Sequence, residues 1–164
     1  MSKHDWNDYQ NYIDVHDRVL RFFSCYMTPV KTYSSEWPFA DKLYLILELN
    51  NVQFTTARGT VAGLVIEKHV IIRRAPYPKP QAKTWSYKYH AYDSTTGIGL
   101  LRYCSPDRDA GNPGNHGGTN HHAVHHRHDF SRYGCDPIAG DVTPVDSEKV
   151  PHVGDFLNEL LMSY

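Results

Sequence analysis

VAGLVIEKHVII, residues 61–72, decides the fold class together with the two segments that follow it, TWSYKYHAY (residues 84–92) and IGLLRYC (residues 98–104). The first is crowded with valine and isoleucine, whose branched Cβ packs well on a pleated surface. It stops before Pro76, Pro78 and Pro80, which cannot donate to a ladder, and so predicts a strand followed by a stiff connection. In the second, the large side chains Trp85, Tyr87 and Tyr89 alternate with polar ones over Thr84 to Tyr92. After the turn formers Asp93 to Gly97, the β pattern resumes over Ile98 to Cys104. These two segments predict a hairpin.

Toward the N-terminus, Leu43 to Leu49 is a nearly continuous apolar run closed by Asn50 and Asn51, which suits a buried strand or a short helix. Beyond the turn-rich stretch Thr28 to Asp41, the opening segment spaces Trp6, Tyr9, Ile13, His16, Leu20 and Phe23 close to one helical face. Its aromatics also suit a strand; the expectation is a helix. Toward the C-terminus, Ser105 to Asn120 holds four glycines and two prolines and predicts a loop. Val153, Phe156, Leu157, Leu160 and Leu161 then form the stripe of an amphipathic helix, with Asp146 or Ser147 as cap for an earlier start and Pro151 suited to a first turn. The expected fold is α+β: a mainly antiparallel sheet with a C-terminal amphipathic helix and an N-terminal helix or extra strand. With 164 residues, 40% of them hydrophobic, the chain suits one domain, in which residues 1–55 form an extension or added layer on a core spanning 56–164.

The formal net charge of -1 conceals a division. Between Arg58 and His90 stand Arg58, Lys68, Arg73, Arg74, Lys79, Lys83 and Lys88 against Glu67 alone, about +6; from Asp136 to Tyr164 the balance is about -5. A basic middle attracts phosphates and favours a nucleic-acid partner over a small neutral substrate, although a solvated sheet face has the same composition. Cys25, Cys104 and Cys135 form an odd set without a CxxC pair, which argues against a disulfide framework and for reduced thiols, Cys104 being a buried one. No apolar run approaches the roughly 20 residues that cross a bilayer, so a soluble, cytoplasmic protein is expected, with no membrane partner.

The chemistry concentrates in HHAVHHRH, His121 to His128. If Val124 to Phe130 is a strand, His126 and His128 share a face while Arg127 points to the other. Imidazole has both protonation states accessible near neutrality, so one ring can act as base toward a ribose 2′-hydroxyl and another as acid toward the leaving 5′ oxygen. Arg127 or Arg102 would stabilise charge on the phosphoryl oxygens, and no metal is needed. A His-x-His pair can equally give two ligands to zinc or another transition metal, with His90, His116 or Asp129 completing the shell. Arg73, Arg74, Lys83, Lys88, Tyr87, Tyr89 and His90 are candidates for holding phosphates and stacking bases, against the alternative that Tyr87 and Tyr89 are core and His90 a packed structural histidine.

The order of these features resembles a known family. Arg73-Arg74-Ala75-Pro76 and its proline-rich connection lead to Tyr87-Lys88-Tyr89-His90-Ala91-Tyr92, a turn, Leu100-Leu101-Arg102-Tyr103, a glycine-rich loop, His126-Arg127-His128 and a final amphipathic helix. Over roughly residues 60 to 162 this is similar to the TumE-type toxins of bacterial toxin–antitoxin systems. The resemblance implies an antiparallel α+β domain, toxicity when expressed alone, RNA cleavage, and a cognate antitoxin of the helix-turn-helix type. By position, His126 and His128 match the family's histidine pair, Arg127 its intervening basic residue, and Arg102 and Tyr103 its Arg-Tyr pair. Cys104 and Ser105 stand where relatives often carry Asp-Asn, the loop before the histidines is longer, and about 55 N-terminal residues lack a counterpart; that segment can add a layer, bind a partner or make a homodimer. The expectation is a metal-independent endoribonuclease toxin with His126, His128, Arg127, Arg102 and Tyr103 in its site. The alternatives are a non-catalytic module that binds RNA or protein and carries a metal-binding histidine loop, and a metallo-phosphoesterase.

Overall fold

Three long strands, each long enough to run about 40 Å, form the spine of the protein: β3 (Lys42–Thr55), β4 (Val61–Arg73) and β5 (Gln81–Asp93). The structure, a computed structural model, describes residues 6–22, 28–34, 42–74, 78–106, 124–130 and 141–164. The remaining elements are β1 (Asn7–Asp8), α1 (Tyr9–Phe22), β2 (Thr28–Ser34), β6 (Gly99–Cys104), β7 (His126–Asp129), β8 (Asp141–Pro144) and α2 (Val153–Ser163). The sheet runs β2-β3-β4-β5-β6-β7-β8 with every pair antiparallel, and β1 adds two residues to the edge of β5 at Gln81 and Ala82, outside the stretch that pairs with β6. The α+β architecture expected from the sequence is the one observed. Leu43 to Leu49 lies within the strand β3, and residues 28–34 and 42–55 continue the same sheet. β8, with its short Asp-Val-Thr-Pro sequence, carries no alternation from which a strand could be read.

Both helices cover one face. Leu64 and Ile66 of β4, Tyr89 of β5, and Leu101 and Tyr103 of β6 meet Phe156, Leu157 and Leu160 of α2 and Leu20 of α1 in the main core. A second cluster, of Tyr12, Leu47, Val70, Ile72 and Ala82, lies with Tyr9 and Ile13 of α1. The register of β4 against β5 shifts between His69 and Val70, where Thr84 and Ser86 bracket an extra residue. This bulge changes which alternate residues face the helices: Ala82 and Thr84 before it are buried, as are Tyr87, Tyr89 and Ala91 after it, and Trp85 is left exposed. The strict Trp85-Tyr87-Tyr89 alternation expected from the sequence therefore breaks at Trp85.

The turns follow local chemistry. Asp93 accepts from the backbone N–H of Thr95 and Thr96 through Oδ1 and from Gly97 through its carbonyl, and Gly97 has φ 74°, which a glycine adopts without steric cost. Asp146 caps a 3-10 turn at Ser147–Lys149, accepting from the Glu148 N–H. α2 starts only at Val153, where the Asp155 carboxylate accepts from the His152 N–H.

α1 docks over a buried lysine. Lys68 is 1% exposed, its Nζ 2.6 Å from His16 Nε2 and 5.2 Å from the centroid of the Tyr12 ring. His16 Nδ1 donates to the Tyr12 carbonyl, so Nε2 keeps the lone pair that accepts from the amine, and the Tyr12 hydroxyl meets Thr84 Oγ1 at 2.8 Å. Among the described residues no carboxylate pairs with Lys68, and burial pulls its pKa down to about 7. The unfolded chain binds this proton up to pH 10.5 and the folded chain only up to about pH 7, so the contribution of Lys68 to stability increases between those values. Lys68→Met should accordingly be more stable than the wild type at pH 7, with the difference shrinking as pH approaches 10. Denaturant titrations across that range check this, and a difference that stays constant with pH would show the amine to be protonated in the fold.

Candidate functional site

Antiparallel pairing arranges the distinctive residues in two cross-strand rows on the face opposite the helices. In one row Arg102 of β6 stands between His90 of β5 and His128 of β7; in the next, Cys104 stands between Lys88 and His126. β8 adds Val142 beside His128 and Pro144 beside His126. β-strand alternation puts i and i+2 on the same face, so four rungs between β6 and β7 are enough to gather Arg102, Cys104, His126 and His128.

Within these rows the contacts are specific. Arg102 donates from Nε to Cys104 Sγ at 3.0 Å. His126 donates from Nδ1 to the Val124 carbonyl at 2.8 Å, which fixes its tautomer and leaves Nε2 as the lone-pair nitrogen of the neutral ring. The His126 and His128 rings lie edge to face, centroids 5.0 Å apart, and His128 stacks on Phe130 at 6.0 Å, with the planes 8° apart. Phe130 also meets the edge of His90 and occupies space over Gly99, where an added Cβ would come within 2.8 Å of the ring. Cys104, His126 and His128 are 8%, 1% and 3% exposed, and one ligand atom from each lies within 4.8 Å of the other two. His90 is partly exposed; burial first, then the charges of Arg102 and Lys88, lower its pKa to about 4, so it is neutral at pH 7.

Arg127 and Tyr103 stand on the other face. The Arg127 guanidinium donates from Nε and NH2 to Glu159 Oε1 of α2, at 3.1 and 2.8 Å, and from NH1 to Asp129 Oδ2 at 3.2 Å, while the Tyr103 hydroxyl donates to Glu159 Oε2 at 2.7 Å. These groups fasten α2 to the sheet. Arg127 and Asp129 also line an open cleft of about 720 Å³ with Arg58, Thr60, Phe130 and Tyr164, through which Arg127 reaches solvent. Asp129, a candidate ligand by sequence, is likewise held on the helix side.

The remaining candidates divide by burial. Tyr87 and Tyr89, expected among the base-stacking residues, are 4% and 1% exposed and stack on one another in the core, where Tyr89 also meets Phe156. The same alternation that brings the histidines together turns these rings under α2, and they act as core residues. Tyr87 also meets His125 Nδ1 through its hydroxyl at 3.0 Å. Arg73 donates from Nε and NH2 to Gln81 and lies over the Trp6 ring; Arg74 and Lys88 are exposed and Lys83 partly so. His116, His121, His122, Cys25 and Cys135 lie outside the described residues. Cys104 is the site residue that composition did not single out. Its partner His126 is distant in sequence, and the pairing register is not written in either segment.

No helix among the described residues is long and apolar enough to cross a membrane. No protein-family model matches the chain, and searches of curated proteins and of solved structures each give no match.

The Arg127–Glu159 pair is only about a quarter exposed on either side, and its guanidinium donates twice to one carboxylate oxygen. Glu159→Ala should therefore cost about 1–2 kcal/mol of stability by the usual worth of a charge-assisted, partly buried pair. Urea unfolding measures it; a loss below about 0.5 kcal/mol would put the pair in the class of solvated surface ion pairs.

Proposed function

We propose that this protein is the RNA-cleaving toxin of a toxin–antitoxin pair, with its chemistry on the sheet face that carries His90, Arg102, His126 and His128. The observation that carries this reading is the His90–Arg102–His128 row, with Lys88 and His126 in the adjoining row: imidazoles and cations converge here, with the carboxylate Glu67 opposite Lys88 on the same face and Asp129 and Glu159 held with Arg127 on the other. A phosphodiester is an anion that gains negative charge in the transition state, so a face of this composition favours the transition state over the ground state. The order of motifs shared with the TumE-type toxins supports the same reading.

In this mechanism one of His126 and His128 takes the 2′-hydroxyl proton, the 2′ oxygen attacks phosphorus, and the other ring protonates the departing 5′ oxygen, leaving a cyclic phosphate. Arg102 neutralises the phosphoryl oxygens, with Lys88 reaching the neighbouring phosphate. His90 and Arg102 are the partly exposed members and meet the backbone first; His126 and His128 are buried, so scission requires local opening of this face. Arg127 and Tyr103 act at a distance by holding α2 against the strands that carry the histidines. The partners in this proposal are RNA and a helix-turn-helix antitoxin, in the cytoplasm.

Induction of the wild type alone should arrest growth and degrade RNA, leaving cyclic phosphate ends. The His126→Ala/His128→Ala double variant should lower cleavage by at least about 100-fold, the usual scale of acid–base catalysis, and Arg102→Ala should do so while retaining the fold, as judged by circular dichroism. Undiminished RNA loss in the double variant would remove these rings from the mechanism, and intact RNA in wild-type cells under growth arrest would remove ribonuclease action altogether.

A further inference from the structure

We propose that Cys104, His126 and His128 form a binding site for a single transition-metal ion of the zinc class. The three residues come from one pairing register: Cys104 and His126 are directly opposed on β6 and β7, and His128 follows His126 on the same face. Their ligand atoms already lie within 4.8 Å of one another, and all three side chains are buried. A tetrahedral ion with bonds of about 2.0–2.3 Å needs its ligand atoms roughly 3.3–3.7 Å apart, so side-chain rotation of about an ångström closes the set without moving the strands.

The donor chemistry narrows the ion. One thiolate and two imidazoles are soft to borderline ligands, which suit Zn(II), Co(II) or Cu(I) and do not suit Mg(II) or Ca(II). The surroundings match what such a site requires. His126 uses Nδ1–H on the Val124 carbonyl, the arrangement that orients a metal-bound imidazole and directs Nε2 to the ion. Arg102 Nε–H on Cys104 Sγ at 3.0 Å stabilises the thiolate. On binding, the metal–sulfur bond replaces the S–H bond and the thiol proton leaves to solvent, while both histidines bind as neutral rings. Three protein ligands leave a fourth position for water or an added ligand.

These three residues would hold the ion whatever the protein cleaves. Its consequence rests on the RNA-cleavage reading: a bound ion takes the lone pairs of His126 and His128, so the metal-loaded protein is the silent form and the metal-free protein the active one.

Full-length protein made without a histidine tag, stripped with chelator and titrated with Co(II), tests the site. One equivalent should bind with a thiolate-to-cobalt charge-transfer band in the near ultraviolet and tetrahedral d–d bands in the visible; Zn(II) should displace it. Cys104→Ser should abolish the charge-transfer band although Cys25 and Cys135 remain, and His126→Ala should weaken binding at least 10-fold, whereas His90→Ala should leave both unchanged. Zn(II) should also raise the thermal midpoint of the wild type and not of Cys104→Ser, a readout that holds even if the alanine variant folds poorly. A charge-transfer band that survives in Cys104→Ser, or Co(II) binding of equal strength in wild type and Cys104→Ser, would overturn the site. Adding Zn(II) to the RNA assay separates the two claims: Co(II) spectra as described from a protein that cleaves no RNA with or without metal would support the centre and eliminate the ribonuclease, while metal-independent cleavage by protein that binds no Co(II) would do the reverse.

Discussion

Four rungs, from Leu101 opposite Asp129 to Cys104 opposite His126, hold β7 against β6, and the chemical character of both faces of the sheet depends on them. Because side chains alternate along a strand, a slip of one residue would carry His126 and His128 to the helix side and move Arg127 and Asp129 to the other. Both outcomes are costly. Glu159 would lose its guanidinium partner, leaving a partly buried carboxylate without its counter-charge, and Phe130 would leave its place beside Gly99. The ion pair and the aromatic contact thus enforce the same register that makes the histidine rows.

The two faces show how similar sequence features acquire different roles. Arg102 and Arg127 are both arginines on short neighbouring strands, yet Arg102 meets a thiol between two imidazoles and Arg127 meets two carboxylates under a helix. Tyr87, Tyr89 and Tyr103 are spaced along one hairpin face, and only the docking of α2 decides that they fill a core. Imidazoles, arginine and thiol thus gather on one side and Asp129 and Glu159 on the other, while Glu67, cross-strand to Lys88 and bonded to His69, is a carboxylate that shares the histidine face one strand further from β7 than Lys88.

Much of this fold was legible because it is local. The β-branched run at Val61 to Ile72, the turn at Asp93 to Gly97 and the stripe from Val153 to Leu161 each carry their own signal, and each became the expected element. The site was legible only in part. Alternation in HHAVHHRH suffices to set His126 and His128 apart from Arg127, but no local feature announces that Cys104 faces His126 or that His90 lies in line with Arg102 and His128. Those relations are registers between segments, fixed by packing on both faces at once. The bulge at Trp85 escaped for the same reason: it adjusts one strand to another, and the sequence of β5 alone reads as unbroken alternation.

The rung between Cys104 and His126 is also a junction in the chain. β6 and β7 are neighbours in space, yet residues 105–125 separate them, with four glycines and two prolines in the first part of that stretch. Closing such a span is an entropic cost that grows only with the logarithm of its length, about 0.6 kcal/mol for each doubling. Separation along the chain is therefore a small part of what it costs to form this rung, and the pairing of Cys104 with His126 rests on the ladder and on the bonds that anchor Ser105, Val124 and His125 beside it.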